Sequence, residues 1–276
     1  MDLIIQGIDI ETSDLRELAK LSGASQIERI TGSAFRLVDA SQQECIPSFC
    51  LEAELDFAFV NQLEDLTNFR LVAMDMDSTL VGIESIDEIA DMHGVRKQVA
   101  ELTEKTMYGE IDFSESLIQR AALLKGLDHS VLQRVYDERL RLNPGAEKML
   151  TQMKIAGIKT MLISGGFTFF TDKLKDRLGL DYAFANTLET VNGRLTGGLV
   201  GEIIGAKGKG QILKQVCNEL GFRKENLIAI GDGANDLPMF SEAEVSIAYH
   251  AKPIVRENAT YAINHVGLDG VISLLQ

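Results

Sequence analysis

From residue 71 onward the chain repeats one texture. Short continuous apolar runs alternate with stretches of helical spacing. The runs are LVAMDM (71–76), IKTMLIS (158–164), YAFAN (182–186), LIAIGDG (227–233) and VSIAY (245–249). Unbroken runs of this kind suit parallel strands covered on both faces, whereas a half-buried strand alternates. Strands alternating with helices predict an α/β fold, a doubly wound, Rossmann-like parallel sheet whose ligands bind beyond the carboxyl ends of its strands.

Residues 1–66 read differently. LIIQGIDI is strand-like, and DLRELAKLSG is a short amphipathic helix that Gly23 would stop. IERITG and AFRLVDA form a hairpin pair around Thr31–Gly32–Ser33, a second helical stretch ends near Leu55, and DFAFV is a last strand. The β-α-β-β-α-β order predicts a small N-terminal α+β domain. It serves either as a structural appendage or as an ACT-like regulatory domain for a small ligand, and nothing in it carries chemistry. NQLEDLTNFR then links to the second unit.

Between the first two apolar runs lie about 80 residues without a strand signal. They hold the helical patterns SIDEIADMHG, QVAELTEKTM, DFSESLIQRAALLKGL and SVLQRVYDERLRL. A loop of that length is foreign to a compact domain. The expected organisation is a core of 71–83 and 144–276 with an inserted helical cap over 84–143.

Composition narrows the function classes. A length of 276 residues favours two or three folding units. A formal net charge of −14 argues against nucleic acid or an anionic membrane surface as the partner. Cys45, Cys50 and Cys217 show no metal or CxxC spacing, as expected of reduced thiols. No apolar run reaches the roughly 18 residues of a membrane span. We therefore expect a cytoplasmic protein, monomeric or homodimeric, with a small-molecule partner. An anionic substrate would need a local positive focus inside this acidic chain.

Three of the five runs end in tails that should converge on one crevice: DMDST, SGG and GDGAND. Asp75 and Asp77 end the first. Buried carboxylates are costly unless paired or metal-bound. One could attack phosphorus as a nucleophile while the other protonates the leaving alcohol and later deprotonates water. A glycosidase pair would need wider separation across a sugar, Ser78 or Thr79 lack a nearby histidine, and both aspartates could instead be caps. Asp232 and Asp236 bring more acid to the same place. So many like charges call for a divalent cation, and oxygen-only ligands beside phosphate favour Mg2+. Ser164 and Gly165 precede a helix expected near Phe167, whose free N–H groups make an anion site. Lys207 and Lys209 are rival cations for the phosphate. On the cap, Phe113, Leu117, Arg120 and Leu124 share one helical stripe, so Arg120 either reaches water or meets a buried anion. Its guanidinium suits a carboxylate, and Glu84 could complement an ammonium, which together suggest an amino-acid head group. His93 and His250 read as structural.

These motifs resemble the four signatures of the haloacid dehalogenase-like phosphatases. MDMDSTLVGIESIDEIA, MYGEIDFSESLIQR, SGGFTFF, AIGDGANDLPM and AYHAKP are most similar to the members that act on phosphoserine. The likeness covers about residues 71–276. It implies a Mg2+-dependent hydrolysis of O-phosphoserine through an aspartyl-phosphate, the last step of serine biosynthesis. Asp75 would be nucleophile and metal ligand. Asp77 would be general acid and base, lending its backbone carbonyl to the metal. Asp232 would be the other ligand, with Asp236 in support. Ser164, Gly165 and Lys209 would hold the phosphate, and Asn235 would lie near it. Glu84 and Arg120 would hold the head group, with Met107 and Phe113 closing over it. The same pocket could pass the phosphoryl group to another alcohol such as homoserine, or serve an amino-acid sensor that no longer reacts. The N-terminal unit is short for this family's regulatory domains, which leaves feedback by serine without support.

Overall fold

The computed structural model describes residues 1–60, 65–107 and 110–275, without the side chain of Met107. Part of the linker segment, residues 61–64, therefore lies outside the described residues.

The N-terminal unit runs β1 (Asp2–Gln6), α1 (Thr12–Ser22), β2 (Gln26–Arg29), β3 (Ala34–Val38), α2 (Cys45–Glu52) and β4 (Asp56–Val60). Its strands form an antiparallel sheet in the order β2-β3-β1-β4. Gly23 closes α1 at φ +66°, a left-handed conformation that costs glycine little. β1 is buried along its whole length, and its alternate side chains explain why. Leu3 and Ile5 pack with Leu18 of α1 and with Ile46 and Cys50 of α2. Ile4 points the other way, into a cluster with Ala58, Val60, Met74 and Val271. The small sheet is thus sandwiched between its own helices and the larger unit. Asp56 fastens it there. Its carboxylate accepts the backbone N–H groups of Asn264 (2.7 Å), His265 (2.8 Å) and Val266 (3.1 Å).

The larger unit begins at β5 (Leu71–Met74). Four helices follow: α3 (Ser85–His93), α4 (Arg96–Met107), α5 (Phe113–Ala122) and α6 (Ser130–Glu138). Then come α7 (Ala146–Ile155), β6 (Lys159–Phe167), α8 (Thr168–Leu178), β7 (Tyr182–Val191), β8 (Arg194–Val200) and α9 (Ala206–Leu220). The chain ends with β9 (Leu227–Gly231), α10 (Leu237–Ser241), β10 (Val245–Tyr249), α11 (Pro253–Arg256), β11 (Tyr261–Ile263) and α12 (Gly270–Ser273).

The sheet order is β11-β10-β9-β5-β6-β7-β8. Every pairing is parallel except β7 with β8. Val72 and Met74 of β5 enter one apolar cluster, while Leu71 and Ala73 enter another on the opposite face. Burial on both faces is the physical reason the run is unbroken. Met74 is in register with Leu162 of β6 on one side and Ile230 of β9 on the other. The tails that follow these three strands therefore emerge side by side. The chain leaves β5 for β6 and later returns to β9 across it, so β5 lies at the topological switch point.

All five apolar runs form strands, and two strands are additional. β11 is only three residues long, too short to show as a run. β8 turns back from β7 at Asn192 (φ +51°) and Gly193 (φ +75°), an Asn-Gly hairpin, and this makes the sheet mixed at that edge. β6 also extends past Ser164 to Phe167, with an irregularity in its pairing between Ile163 and Phe167. Both ends of the four-helix insertion meet beside the turn after β5, through Gly82 N–H to Arg141 O and Asn143 N–H to Leu80 O, each 3.0 Å. No helix among the described residues is long and apolar enough to cross a membrane.

Candidate active site

Asp75 follows β5 directly and is 5% exposed. Its Oδ2 lies 2.5 Å from Nζ of Lys209, which has no exposed surface. Lys209 also holds Asp236 at 2.7 Å, so one buried ammonium serves two carboxylates. The other oxygen of Asp75 accepts the N–H of Met76 at 2.6 Å, and Asn235 donates to Oδ2 at 3.5 Å. Lys209 is set by the phase of α9. Leu213, Val216 and Cys217 form the buried stripe of this helix, and Lys209 stands four, seven and eight residues before them. Lys207 falls on the exposed side.

Asp77 sits in the turn, which Ser78 tightens with φ +57°. Its carboxylate is turned toward α3, accepting Ser85 N–H at 3.2 Å and Ser85 Oγ–H at 2.8 Å. Burial and the charges of Glu84 and Asp75 hold this carboxyl well above the usual carboxylate range, against those two hydrogen bonds. Glu84, at the open side, accepts the Ser78 hydroxyl at 2.7 Å. Arg120 is 9% exposed on the buried stripe of α5. Burial pulls its pKa down, while the charges of Asp87, Glu84 and Asp77 push it back up. It therefore stays on the buried side of the helix, within the field of these carboxylates, and its Nε donates to Ser116 O at 3.4 Å. Its guanidinium lies 6.0 Å from the Phe113 ring centre.

Ser164 is buried at the end of the apolar part of β6, and its Oγ accepts the Gly166 N–H at 2.8 Å. Phe113 is seated on two glycines. A β-carbon at Gly165 would lie 3.0 Å from its Cζ, and one at Gly205 2.9 Å from its Cδ1. Asn186 locks this floor from below, donating to Gly165 O (2.9 Å) and Ile204 O (3.2 Å) and accepting Ile204 N–H (2.7 Å).

Asp75, Asp232 and Asp236 each place an oxygen within 4.8 Å of the others. Asp232 receives the buried Thr79 hydroxyl at 2.7 Å, yet burial still pushes its pKa up to about 6. Burial likewise lifts Asp236 to about 7 in spite of Lys209. One ammonium does not satisfy three clustered carboxylates, and an all-oxygen donor set of this kind fits a hard divalent cation. Asp75 and Asp232 would hold it. The carboxylate of Asp77 is not one of the three that cluster.

The structure brings together Asp75, Asp77, Glu84, Phe113, Arg120, Ser164, Gly165, Lys209, Asp232, Asn235 and Asp236 around the carboxyl end of β5. Only Met107 falls outside the described side chains. Sequence patterns missed the partners of these groups: Thr79 on Asp232, Ser85 on Asp77, and Asn186 under Gly165. Asn186 ends the run YAFAN, and the rule that flagged the other strand tails would have flagged it too.

Known proteins resemble this chain over most of its length. Residues 69–244 match the haloacid dehalogenase-like hydrolase family, and residues 3–45 match a domain of unknown function. The phosphoserine phosphatase of Polaromonas sp. (strain JS666) is 52% identical over 216 residues, spanning 76% of this chain and 92% of that protein. The crystal structure of a probable phosphoserine phosphatase from Vibrio cholerae superposes with a TM-score of 0.88 at 37% identity, over 99% of this chain and 86% of that one. A substrate-bound phosphoserine phosphatase complex gives 0.71 at 38% identity, over 75% of this chain and 99% of that one.

Proposed function

The chain belongs to the haloacid dehalogenase-like hydrolases, and from that membership we propose that it hydrolyses O-phosphoserine to serine and phosphate through a phosphorylated Asp75. The observation that carries the substrate choice is that buried Arg120 and exposed Glu84, whose charge reaches it, both stand on the cap side of Asp75. Arg120 would take the substrate carboxylate in two parallel hydrogen bonds, and Glu84 its ammonium. The phosphate would then lie between Asp75, Lys209 and the Ser164–Gly165 tail, beside Asn235.

An oxygen of Asp75 attacks phosphorus as the bond from phosphorus to the seryl oxygen breaks. Asp77 gives that oxygen its proton. A carboxyl whose pKa is raised by burial and neighbouring charge keeps its proton long enough to serve as this acid. Water then attacks the phosphorus, Asp77 takes its proton, and the Asp75–phosphorus bond breaks. Lys209 stays charged throughout and compensates Asp75 and the phosphate. When bound at Asp75 and Asp232, with the Asp77 carbonyl, Mg2+ would offset phosphate charge and orient the group for in-line displacement. Phe113 on its glycine seat, with Met107, would keep bulk water out.

The three free cysteines suit a reducing cytoplasm, and serine biosynthesis is the pathway such an activity would serve. We assign 71–83 and 144–276 to catalysis, 84–143 to the cap, and 1–66 to an appended unit. The test is phosphate release from O-phosphoserine with Mg2+, with excess chelator, and with Asp75→Asn. Metal-dependent turnover that the mutant loses supports the proposal, and turnover kept by Asp75→Asn rules out the phosphorylated aspartate. Homoserine added as acceptor reports transfer in place of hydrolysis.

A further inference from the structure

Asp77 is gripped by a single residue at two points, through the N–H and the hydroxyl of Ser85. Ser85 is fully buried and is the first residue of α3, the helix that opens the cap. A third surface completes the grip. A β-carbon at Gly166 would lie 2.9 Å from Asp77 Oδ2 and 3.0 Å from Ser85 Oγ, so the pair is pressed against the backbone of the Ser-Gly-Gly tail. An aspartate side chain has two free torsions, and a two-point contact against a wall fixes both. The neighbouring hydroxyl of Ser78 is committed to Glu84 instead, so it cannot substitute.

We propose that Ser85 is a positioning residue for phosphoryl transfer, holding the Asp77 carboxyl beside the tail where the phosphate binds. Ser85 acts through the Asp77 carboxyl and not on the substrate itself. It acts by keeping the proton donor in line with the seryl oxygen and then with the attacking water. Because Ser85 opens α3, the orientation of Asp77 follows the placement of the first cap helix. The role rests on the phosphatase function proposed above.

General acid–base catalysis is worth roughly 10²–10⁴ in rate, and a misplacement of about 1 Å costs on the order of 10². Ser85→Ala should therefore lower kcat about 10- to 100-fold while KM changes by less than about 3-fold. Ser85→Thr keeps both donors and should hold kcat within about 3-fold of wild type. In an Asp77→Asn background, Ser85→Ala should alter the residual rate by less than about 2-fold, since a residue acting through Asp77 has nothing left to act on.

The experiment measures phosphate release from O-phosphoserine for the wild type, these single variants and the double variant, with unfolding of each followed by circular dichroism. The role is overturned if folded Ser85→Ala keeps kcat within about 2-fold, if KM rises as far as kcat falls, or if the two substitutions multiply. Should Ser85→Ala fail to fold, Ser85→Cys, close in size with a weaker donor, takes its place under the same criteria. A wild type that releases no phosphate overturns the phosphatase function itself, an outcome distinct from an active wild type whose Ser85→Ala variant is normal.

Discussion

Replacing Lys209 with methionine tests the electrostatic frame of the site most directly. The ammonium lies 2.5 Å from Asp75 and 2.7 Å from Asp236, with no exposed surface. At an effective dielectric of about 20, each contact is worth roughly 6 kcal/mol of Coulomb attraction before desolvation of the three groups is subtracted. Desolvation consumes most of that, and removing one partner of a buried ion pair costs about 3–5 kcal/mol. Methionine fills a similar volume, so the loss is one of charge. For a chain of this size the expected fall in Tm is about 5–10 °C. The cost depends on pH in a defined sense. Burial already lifts Asp236 to about 7, and removing Lys209 raises it further. A carboxyl with a raised folded-state pKa favours the fold while protonated, so that contribution is present below about 4 and fades as pH rises through the folded value. The destabilisation should therefore be larger at pH 8 than at pH 5. The chain has no tryptophan, so unfolding is followed by far-ultraviolet circular dichroism, with excess chelator so that no cation stands in for the lysine. A Tm within about 2 °C of wild type at pH 8 would refute the claim that Lys209 compensates these carboxylates.

Three further outcomes follow from other contacts. Asp56→Ala leaves three backbone N–H groups of the Asn264–Val266 segment without their acceptor and should cost about 3 kcal/mol, read as a lower Tm, with kcat unchanged within about 3-fold. Gly205→Ala pushes a methyl into Phe113 and should raise KM about 10-fold with a smaller effect on kcat, and in a Phe113→Ala background the same substitution should do little, as steady-state kinetics will show. Of the three thiols only Cys45 should react quickly with a disulfide reagent at pH 8, because burial pushes Cys50 up to about 12 and Cys217 up to about 11. Thiol counting before and after unfolding checks this.

What the sequence made legible depended on the range of the cause. The runs ending in DMDST, SGG and GDGAND are legible because burial on both sheet faces leaves a local signature, and strand order then delivers the tails to one edge. The Asn192–Gly193 hairpin is equally local, but β8 is a half-exposed strand with two glycines and so leaves no continuous apolar run. The preference for Lys209 over Lys207 was available in the phase of the stripe through Leu213, Val216 and Cys217. Thr79 and Asp232 are different. They lie 153 positions apart, and only the parallel pairing of β5 with β9 joins them. The burial of Ile4 against the larger unit was hidden for the same reason, since a strand covered on both faces by different partners does not say which partner is which.

The net charge of −14 and an anionic substrate are reconciled inside the site rather than on the surface. Among the described residues, Asp75, Asp77, Glu84, Asp232 and Asp236 outnumber the cations Lys209 and Arg120 by three when all are ionised. Burial already pushes Asp77, Asp232 and Asp236 toward their protonated forms. One divalent cation at Asp75 and Asp232 and one proton on Asp77 bring the site to neutrality. In the function proposed above, that proton is the one the leaving seryl oxygen would take. Crowding of the acids therefore acts in two ways at once: it creates the demand for a hard cation, and it favours the protonated form of Asp77. Removing a carboxylate from the cluster, as in Asp232→Asn, should then weaken cation affinity, read by calorimetric titration with Mg2+. A site built from a lone aspartate and surface lysines would offer neither.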